Sequence, residues 1–185
     1  MNAPSDSADL LYFAYGADMH PEQISVRCDN PKPLMVARLP EYALGFFGHA
    51  DRWDGGLESL LECSGAELWG VIYQVSFSDA DYLDACQGAR LDGTGAYFQF
   101  PMEVIGLDGN LYSVFVYKKS SLGEVTLPSS GYLDYIITGA VARGLPEDYI
   151  QHLKQLDNKP TLEPLPRKTD LNKMLAGGHD CNCGH

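Results

Sequence analysis

The sequence predicts one α+β domain, and three observations lead there. Strand-like segments come first and helical segments last, without the regular alternation of a doubly wound sheet. With 185 residues and 45% hydrophobic content, the chain can bury a core of its own. A shift to Lys, Pro, Thr and Gly from Asn158 onward marks a change of character, so the expected division is a domain over 10–157 and a disordered tail over 158–185.

The chain begins its pattern with Leu11-Tyr12-Phe13-Ala14-Tyr15, an aromatic strand that stops at Gly16 just before a helix start. Such a turn leaves the N–H groups of Gly16, Ala17 and Asp18 free to meet an anion, and glycine permits close approach. The same residues also make a plain tight connection. Pro21 at a first helical position and Glu22 in the first turn predict a short helix over 21–29. Segments 34–39 and 42–47 are β-like, paired or bent about Pro40-Glu41, with Gly45 and Gly48 as bulges or close approaches. Segments 57–63 and 67–75 predict a hairpin across Ser64-Gly65-Ala66. Ser78 as N-cap, with Asp81 three residues later, predicts a helix over 79–86 that ends before Gly88. Asp108-Gly109-Asn110 predicts a hairpin between 97–107 and 111–118. Two helices follow, over 132–143 and 146–156, broken at Gly144. Within the tail, Thr169 caps a weak helix.

Composition excludes several classes. The net charge is −12, with no basic stripe interleaved with aromatics, so nucleic acid is not an expected partner. An acidic field favours an amine-bearing ligand over a polyanion, although a solubilising surface accounts for the same charge. No apolar run approaches the ~18 residues of a membrane helix, and the first nine residues are polar and acidic, unlike an export leader. No membrane association is expected. The five cysteines, Cys28, Cys63, Cys86, Cys181 and Cys183, are odd in number and lack a framework spacing, which suits reduced thiols in a cytoplasmic protein.

Three stretches then fall in order: YFAYGADM at 12–19, YLDACQG at 82–88, and GAYFQF at 95–100 followed by LPSSGYLDYIITGAVARGLPEDY at 127–149. With VARL at 36–39, DGGLESLL at 54–61 and ELWGVIYQV at 67–75, they resemble the gamma-glutamylcyclotransferase family over roughly residues 10–157. That family carries a YGSNL-type loop, an LDxxEG-type helix end and a later tyrosine before Gly-Leu-Pro. The resemblance implies a small mixed β-barrel with packed helices. It also implies cleavage of a γ-glutamyl amide, in which the substrate's α-amine attacks its γ-carbonyl to give 5-oxoproline and a free amine. By motif, the ligand loop corresponds to Tyr15, Gly16, Ala17, Asp18 and Met19, the proton-transfer glutamate to Gln87, and the site tyrosines to Tyr97 and Tyr132.

The departures fall at the chemistry. Gln87 is an amide without a titratable proton, and loss of general acid–base catalysis costs about 10²- to 10⁴-fold. Ala17 replaces the loop's serine and Asp18 its asparagine, and a carboxylate there repels a substrate carboxylate unless it turns away or pairs with a cation. The linker over 89–96 is also about three residues longer than the family spacing. Glu103, in phase with Tyr97 along one strand, is the candidate substitute acid, with Asp84 and Asp92 behind it. Cys86 and His49 are weaker candidates, as a core thiol and a loop imidazole.

The tail is a separate feature. His179, Cys181, Cys183 and His185 alternate, so an extended segment presents four ligands suited to Zn, Cu or Ni. No cofactor is expected for the domain itself. Three functions follow: a pocket for a γ-glutamyl or amine-bearing small molecule with the 5-oxoproline-forming activity lost or altered, an active cyclotransferase with a different acid, or a metal-handling accessory protein acting through its tail.

Overall fold

β1 (Leu10–Ala14) is the strand on which the barrel closes, and Phe13 and Ala14 at its end are completely buried. It pairs antiparallel with β3 (Gly55–Val75), from Leu10 opposite Val75 to Ala14 opposite Val71. On its other side it pairs parallel with β5 (Leu111–Lys119), Tyr12 opposite Phe115. β2 (Lys32–Ala50) joins β3 to β4 (Tyr97–Gly106), and β4 joins β5, giving the closed order β1-β3-β2-β4-β5. Closure satisfies strand edges that would otherwise be open to pairing. The parallel β1/β5 pair makes the barrel mixed, and the α+β expectation holds. This computed structural model describes residues 9–90 and 92–162.

The hairpin at Asp108-Gly109-Asn110 forms as expected, but the β2/β3 region does not. Pro40-Glu41 and Ser64-Gly65-Ala66 are interruptions inside two long strands, and the expected hairpin across 64–66 is absent. The register jumps from Pro40 opposite Glu67 to Tyr42 opposite Glu62, and Gly65 N–H donates to Glu41 Oε2 at 3.1 Å across the irregularity. Glu41 takes a left-handed φ of 65°, the bent conformation of a bulge. The true reversal is the 3₁₀ turn Asp51–Trp53 between β2 and β3.

Four α-helices cover the barrel among the described residues: α1 (Pro21–Arg27), α2 (Phe77–Gln87), α3 (Ser130–Ala142) and α4 (Glu147–Lys154). The expected cap of α2 at Ser78 is corrected to Ser76. Asp79 N–H donates to Ser76 Oγ at 3.1 Å, and Ser76 N–H donates back to Asp79 Oδ2 at 3.2 Å, a complete capping box two residues earlier than expected. At its other end Gly88 adopts φ 61°, the left-handed cap that glycine takes without a Cβ clash. α3 buries Leu133, Ile136 and Ala140 along one face. Phe13, Leu60, Leu68, Ile72 and Leu83 are all at most 1% exposed, and burial of each such side chain contributes about 1.5–3 kcal/mol.

Packing does not stop at 157. Ser130 N–H donates to Lys159 O at 2.7 Å, Lys159 N–H to Pro128 O at 3.0 Å, and Leu162 N–H to Asp54 Oδ2 at 2.7 Å. The domain therefore continues at least to Leu162. The expected Thr169-capped helix lies outside the described residues.

Candidate functional site

Gly16, two residues past the end of β1, leads into a 3₁₀ turn over Ala17–Met19, which His20 converts into α1 by accepting the Glu22 N–H on Nδ1 at 3.2 Å. This connection is one wall of a cleft of about 170 Å³. The other walls come from across the sequence: Gln23 and Arg27 of α1, Arg52 and Trp53 of the 3₁₀ turn, Glu58 of β3, Cys86 and Gln87 of α2, Tyr97 of β4 and Tyr132 of α3. A larger groove of about 530 Å³ runs between α1 and α2, but it is lined by neither the loop nor the site tyrosines.

Asp18 is buried, and its charge is matched. Arg27 Nη1 lies 2.9 Å from Oδ1, while Tyr12 Oη donates to Oδ2 at 2.9 Å and Gln87 Nε2 to the same oxygen at 3.2 Å. Burial opposes the charge on Arg27, but the Asp18 carboxylate outweighs it and holds the guanidinium more firmly protonated. With its amide oxygen turned to the guanidinium, Gln23 accepts from Arg27 Nη2 at 2.9 Å and from Nε at 3.2 Å. Asp18 is thus consumed by its own chain and does not confront a ligand as a free anion.

Arg52 has a different setting. Its guanidinium lies 4.9 Å over the Trp53 ring, and Nε has no hydrogen-bond partner among the described residues. Burial and the neighbouring Arg27 both weaken its hold on its proton, an electrostatic state that an incoming carboxylate relieves. Trp53 in turn stacks on Tyr132 at 4.4 Å.

Glu58 is half-buried in the same cleft and is the acid that sequence reasoning missed. Its Oε1 accepts the Ala17 N–H at 3.2 Å, and Oε2 accepts from the Tyr132 hydroxyl in a very short contact. The Tyr97 hydroxyl donates to the Glu58 main-chain carbonyl at 2.7 Å. Burial pushes the Glu58 carboxyl upward, only partly opposed by the hydrogen bonds it accepts. The DGGLESLL stretch that carries Glu58 was visible in sequence, but nothing local says which face of a bent strand turns inward.

The structure brings together Gly16, Ala17, Asp18, Gln87, Tyr97 and Tyr132. It separates Tyr15, whose hydroxyl donates to the Tyr117 carbonyl, and Met19, which is fully buried with its carbonyl accepting from Tyr73 Oη at 3.1 Å. Both support the loop from behind. Glu103 is exposed on β4 opposite Ser113, outside the cleft. Asp84 accepts from Tyr117 Oη at 2.6 Å and Gln99 Nε2 at 2.8 Å, and Asp92 is an exposed loop acid bonded to Thr94. Burial raises the Cys86 thiol, the wrong direction for a thiolate nucleophile. His49 is exposed beside Asp51. The long 89–96 linker is pinned where it returns, Ala96 N–H donating to Gly88 O at 2.9 Å, so Tyr97 still enters beside Gln87. His179, Cys181, Cys183 and His185 lie outside the described residues. Among the described residues, no helix is long and apolar enough to cross a membrane.

Comparison with known proteins places these features in context. A family model described as the AIG2-like family matches residues 67–153. The gamma-glutamylcyclotransferase of Homo sapiens is 30% identical over 156 residues, covering 82% of this chain and 81% of that protein. Its Mus musculus counterpart is 29% identical over 160 residues, with 84% and 83% covered. A solved structure of a gamma-glutamyl cyclotransferase superposes with a TM-score of 0.80 at 26% identity, covering 91% of this chain and 99% of that one.

Proposed function

The chain belongs to the gamma-glutamylcyclotransferase family, and from that premise we propose that its cleft takes one γ-glutamyl compound, with the family's 5-oxoproline-forming reaction altered at its proton step. One observation carries this reading: Asp18 is neutralised by Arg27, whereas the Arg52 guanidinium in the same cleft has no carboxylate partner among the described residues. The pocket therefore retains one cation for a ligand carboxylate. A cleft of about 170 Å³ suits a single glutamyl group and excludes a folded chain. Trp53, Tyr97 and Tyr132 supply flat apolar walls for its methylenes. Gln87 holds Asp18 and can hydrogen-bond a ligand, but it moves no proton. The free thiols Cys28, Cys63 and Cys86 fit work in the cytoplasm.

Calorimetric titration with γ-glutamyl-alanine and with its α-linked isomer tests the reading. The γ-linked compound is expected to bind and the α-linked one to bind at least ten-fold more weakly. Arg52→Met removes a charge-assisted contact of about 1.5–3 kcal/mol, a weakening of ten-fold or more. Equal affinity for the two isomers overturns the assignment.

A further inference from the structure

The geometry points to Glu58 as the catalytic acid and base of this site, a proton-transfer carboxyl carried on β3 in place of one at the end of α2. The inference rests on the γ-glutamyl reading of the cleft and names the residue that makes it an enzyme.

Four geometric observations converge on this residue, and its electrostatics agree. Glu58 lines the cleft together with Gln87, the position at which the family resemblance places its glutamate. Of the acids considered as substitutes, Glu103, Asp84 and Asp92 do not line it, and the cleft's other carboxyl-bearing neighbour, Asp18, is tied to Arg27, Tyr12 and Gln87. The Glu58 carboxyl is oriented from both sides, by the Ala17 N–H on Oε1 and the Tyr132 hydroxyl on Oε2. Room for it is built into the main chain: a Cβ on residue 16 would come within 2.4 Å of Oε1, so the carboxyl rests on the glycine of the ligand loop itself. Burial raises its proton affinity toward the range in which a carboxyl both takes and returns a proton.

The step balances without a co-reactant. The neutral α-amine nitrogen of the bound γ-glutamyl compound forms a bond to the γ-carbonyl carbon and gives one proton to the Glu58 carboxylate. The resulting tetrahedral adduct expels the leaving amine as the original C–N bond breaks, and the departing nitrogen takes that proton from Glu58. The products are 5-oxoproline and a free amine, Glu58 returns to its ionised form, and no water is consumed. Deprotonation of the substrate ammonium in solution is matched by protonation of the released amine. The Ala17 N–H anchors Oε1, leaving Oε2 as the oxygen that exchanges the proton once the Tyr132 hydroxyl turns to the substrate.

The experiment uses the full chain with γ-glutamyl-alanine and γ-glutamyl-butylamine, reading 5-oxoproline release and, separately, affinity by calorimetry. Wild type is expected to turn over at least one of them, Glu58→Gln to lose at least 100-fold in kcat while keeping its Kd within about three-fold, and Glu58→Asp to fall between. Besides the alkaline limb set by deprotonation of the substrate's own α-amine, the wild-type kcat/KM should show a separate acidic-side rise with pH through an apparent pKa above that of an ordinary carboxyl, and this acidic-side limb should vanish in the residual activity of Glu58→Gln while the amine limb stays. The wild-type pH profile keeps the test decisive if Glu58→Gln does not fold, since a limb at or below the ordinary carboxyl range overturns the proposal. Undiminished turnover by Glu58→Gln also overturns it. Binding by wild type without 5-oxoproline release overturns the role of Glu58 and leaves the pocket reading intact; tighter binding by Glu58→Gln would then identify the carboxyl as an internal plug of the loop. Absence of binding by wild type overturns the pocket reading, and the role of Glu58 falls with it.

Discussion

Gly16 and Glu58 occupy what would be one side chain's space: a Cβ on residue 16 would stand 2.4 Å from Glu58 Oε1, 2.5 Å from Cγ and 2.7 Å from Cδ. The glycine is therefore required by the acid as much as by the turn. Gly16→Ala should displace the carboxyl from the Ala17 N–H at an overpacking cost of about 1–3 kcal/mol, because the far end of a flexible side chain can yield. In Glu58→Ala the obstruction is gone. Chemical denaturation of the two single variants and the double variant should show a coupling of at least about 0.5 kcal/mol, the double being more stable than the sum implies. Full additivity would mean that the two residues do not compete for the space.

The Asp18–Arg27 pair makes a second, opposite kind of relationship, in which each member is tolerable only because of the other. Their contacts are 2.9 and 3.1 Å, and both residues are buried. Arg27→Met should cost about 3–5 kcal/mol by leaving the carboxylate uncompensated. Asp18→Asn added to it should restore part of that loss, because a neutral amide needs no cation. Urea melts of the three variants check this, and a double variant less stable than Arg27→Met would contradict it.

How far these relationships were legible in the sequence depends on their range. β4 and β5 were readable because Asp108-Gly109-Asn110 reverses the chain locally, and α1 because Pro21 and Glu22 mark its start. β2 and β3 were not, since Pro40-Glu41 and Ser64-Gly65-Ala66 have the chemistry of turns, and only their mutual pairing in three dimensions turns two breaks into one irregularity. The same limit hid the site. The Gly16–Asp18 turn, Gln87, Tyr97 and Tyr132 were legible through motif order. Glu58 and Arg52 sit on a bent strand and at a 3₁₀ reversal, and both reach the cleft through the way the barrel closes. That the Asp18 carboxylate requires a cation was legible from its residue type, but which cation was not: Arg27 stands nine residues downstream, at the far end of α1.

Proton linkage gives a prediction of definite sign. The Glu58 carboxyl holds its proton more tightly in the folded than in the unfolded chain, so the native state binds more protons between the ordinary carboxyl pKa and the raised one. Its contribution to stability is complete below the unfolded value and is lost as pH rises through the folded one. The slope from one group is at most about 1.4 kcal/mol per pH unit. Melts of wild type and Glu58→Gln across the acidic range should diverge over that window, with wild type losing stability relative to the variant as pH rises. A difference that grows in the other direction would place the carboxyl in a charge-favouring site.

Asp79 links two helices as well as capping one. Besides closing the Ser76 box, it accepts the Asp29 N–H on Oδ1 at 2.8 Å, tying the exit of α1 to the start of α2. Ser76→Ala should cost about 1 kcal/mol, the usual loss of an N-cap. Asp79→Ala should cost more, because it also leaves the Asp29 N–H without its acceptor. Equal thermal shifts for the two would show that the bond between the helices contributes nothing.

The segment just past 157 acts on the site through the turn that carries Arg52 and Trp53. Lys159 Nζ lies 3.1 Å from Asp54 Oδ1, and Leu162 N–H donates to the other oxygen of the same carboxylate. Asp54 directly follows Trp53, whose carbonyl accepts from Ser129 Oγ at 2.5 Å, and Ser129 caps α3 just before Tyr132. Backbone bonds of Lys159 to Pro128 and Ser130 close the same corner. A chain ending at 157 should therefore lose more than the local contacts: it should be about 1–3 kcal/mol less stable than one ending at 162, and it should bind γ-glutamyl-alanine more weakly because the turn holding Arg52 is no longer clamped. Denaturation and calorimetry on the two truncations separate these effects. Equal stability would show that the segment is not structural, whereas lower stability with unchanged affinity would show that the clamp does not reach Arg52.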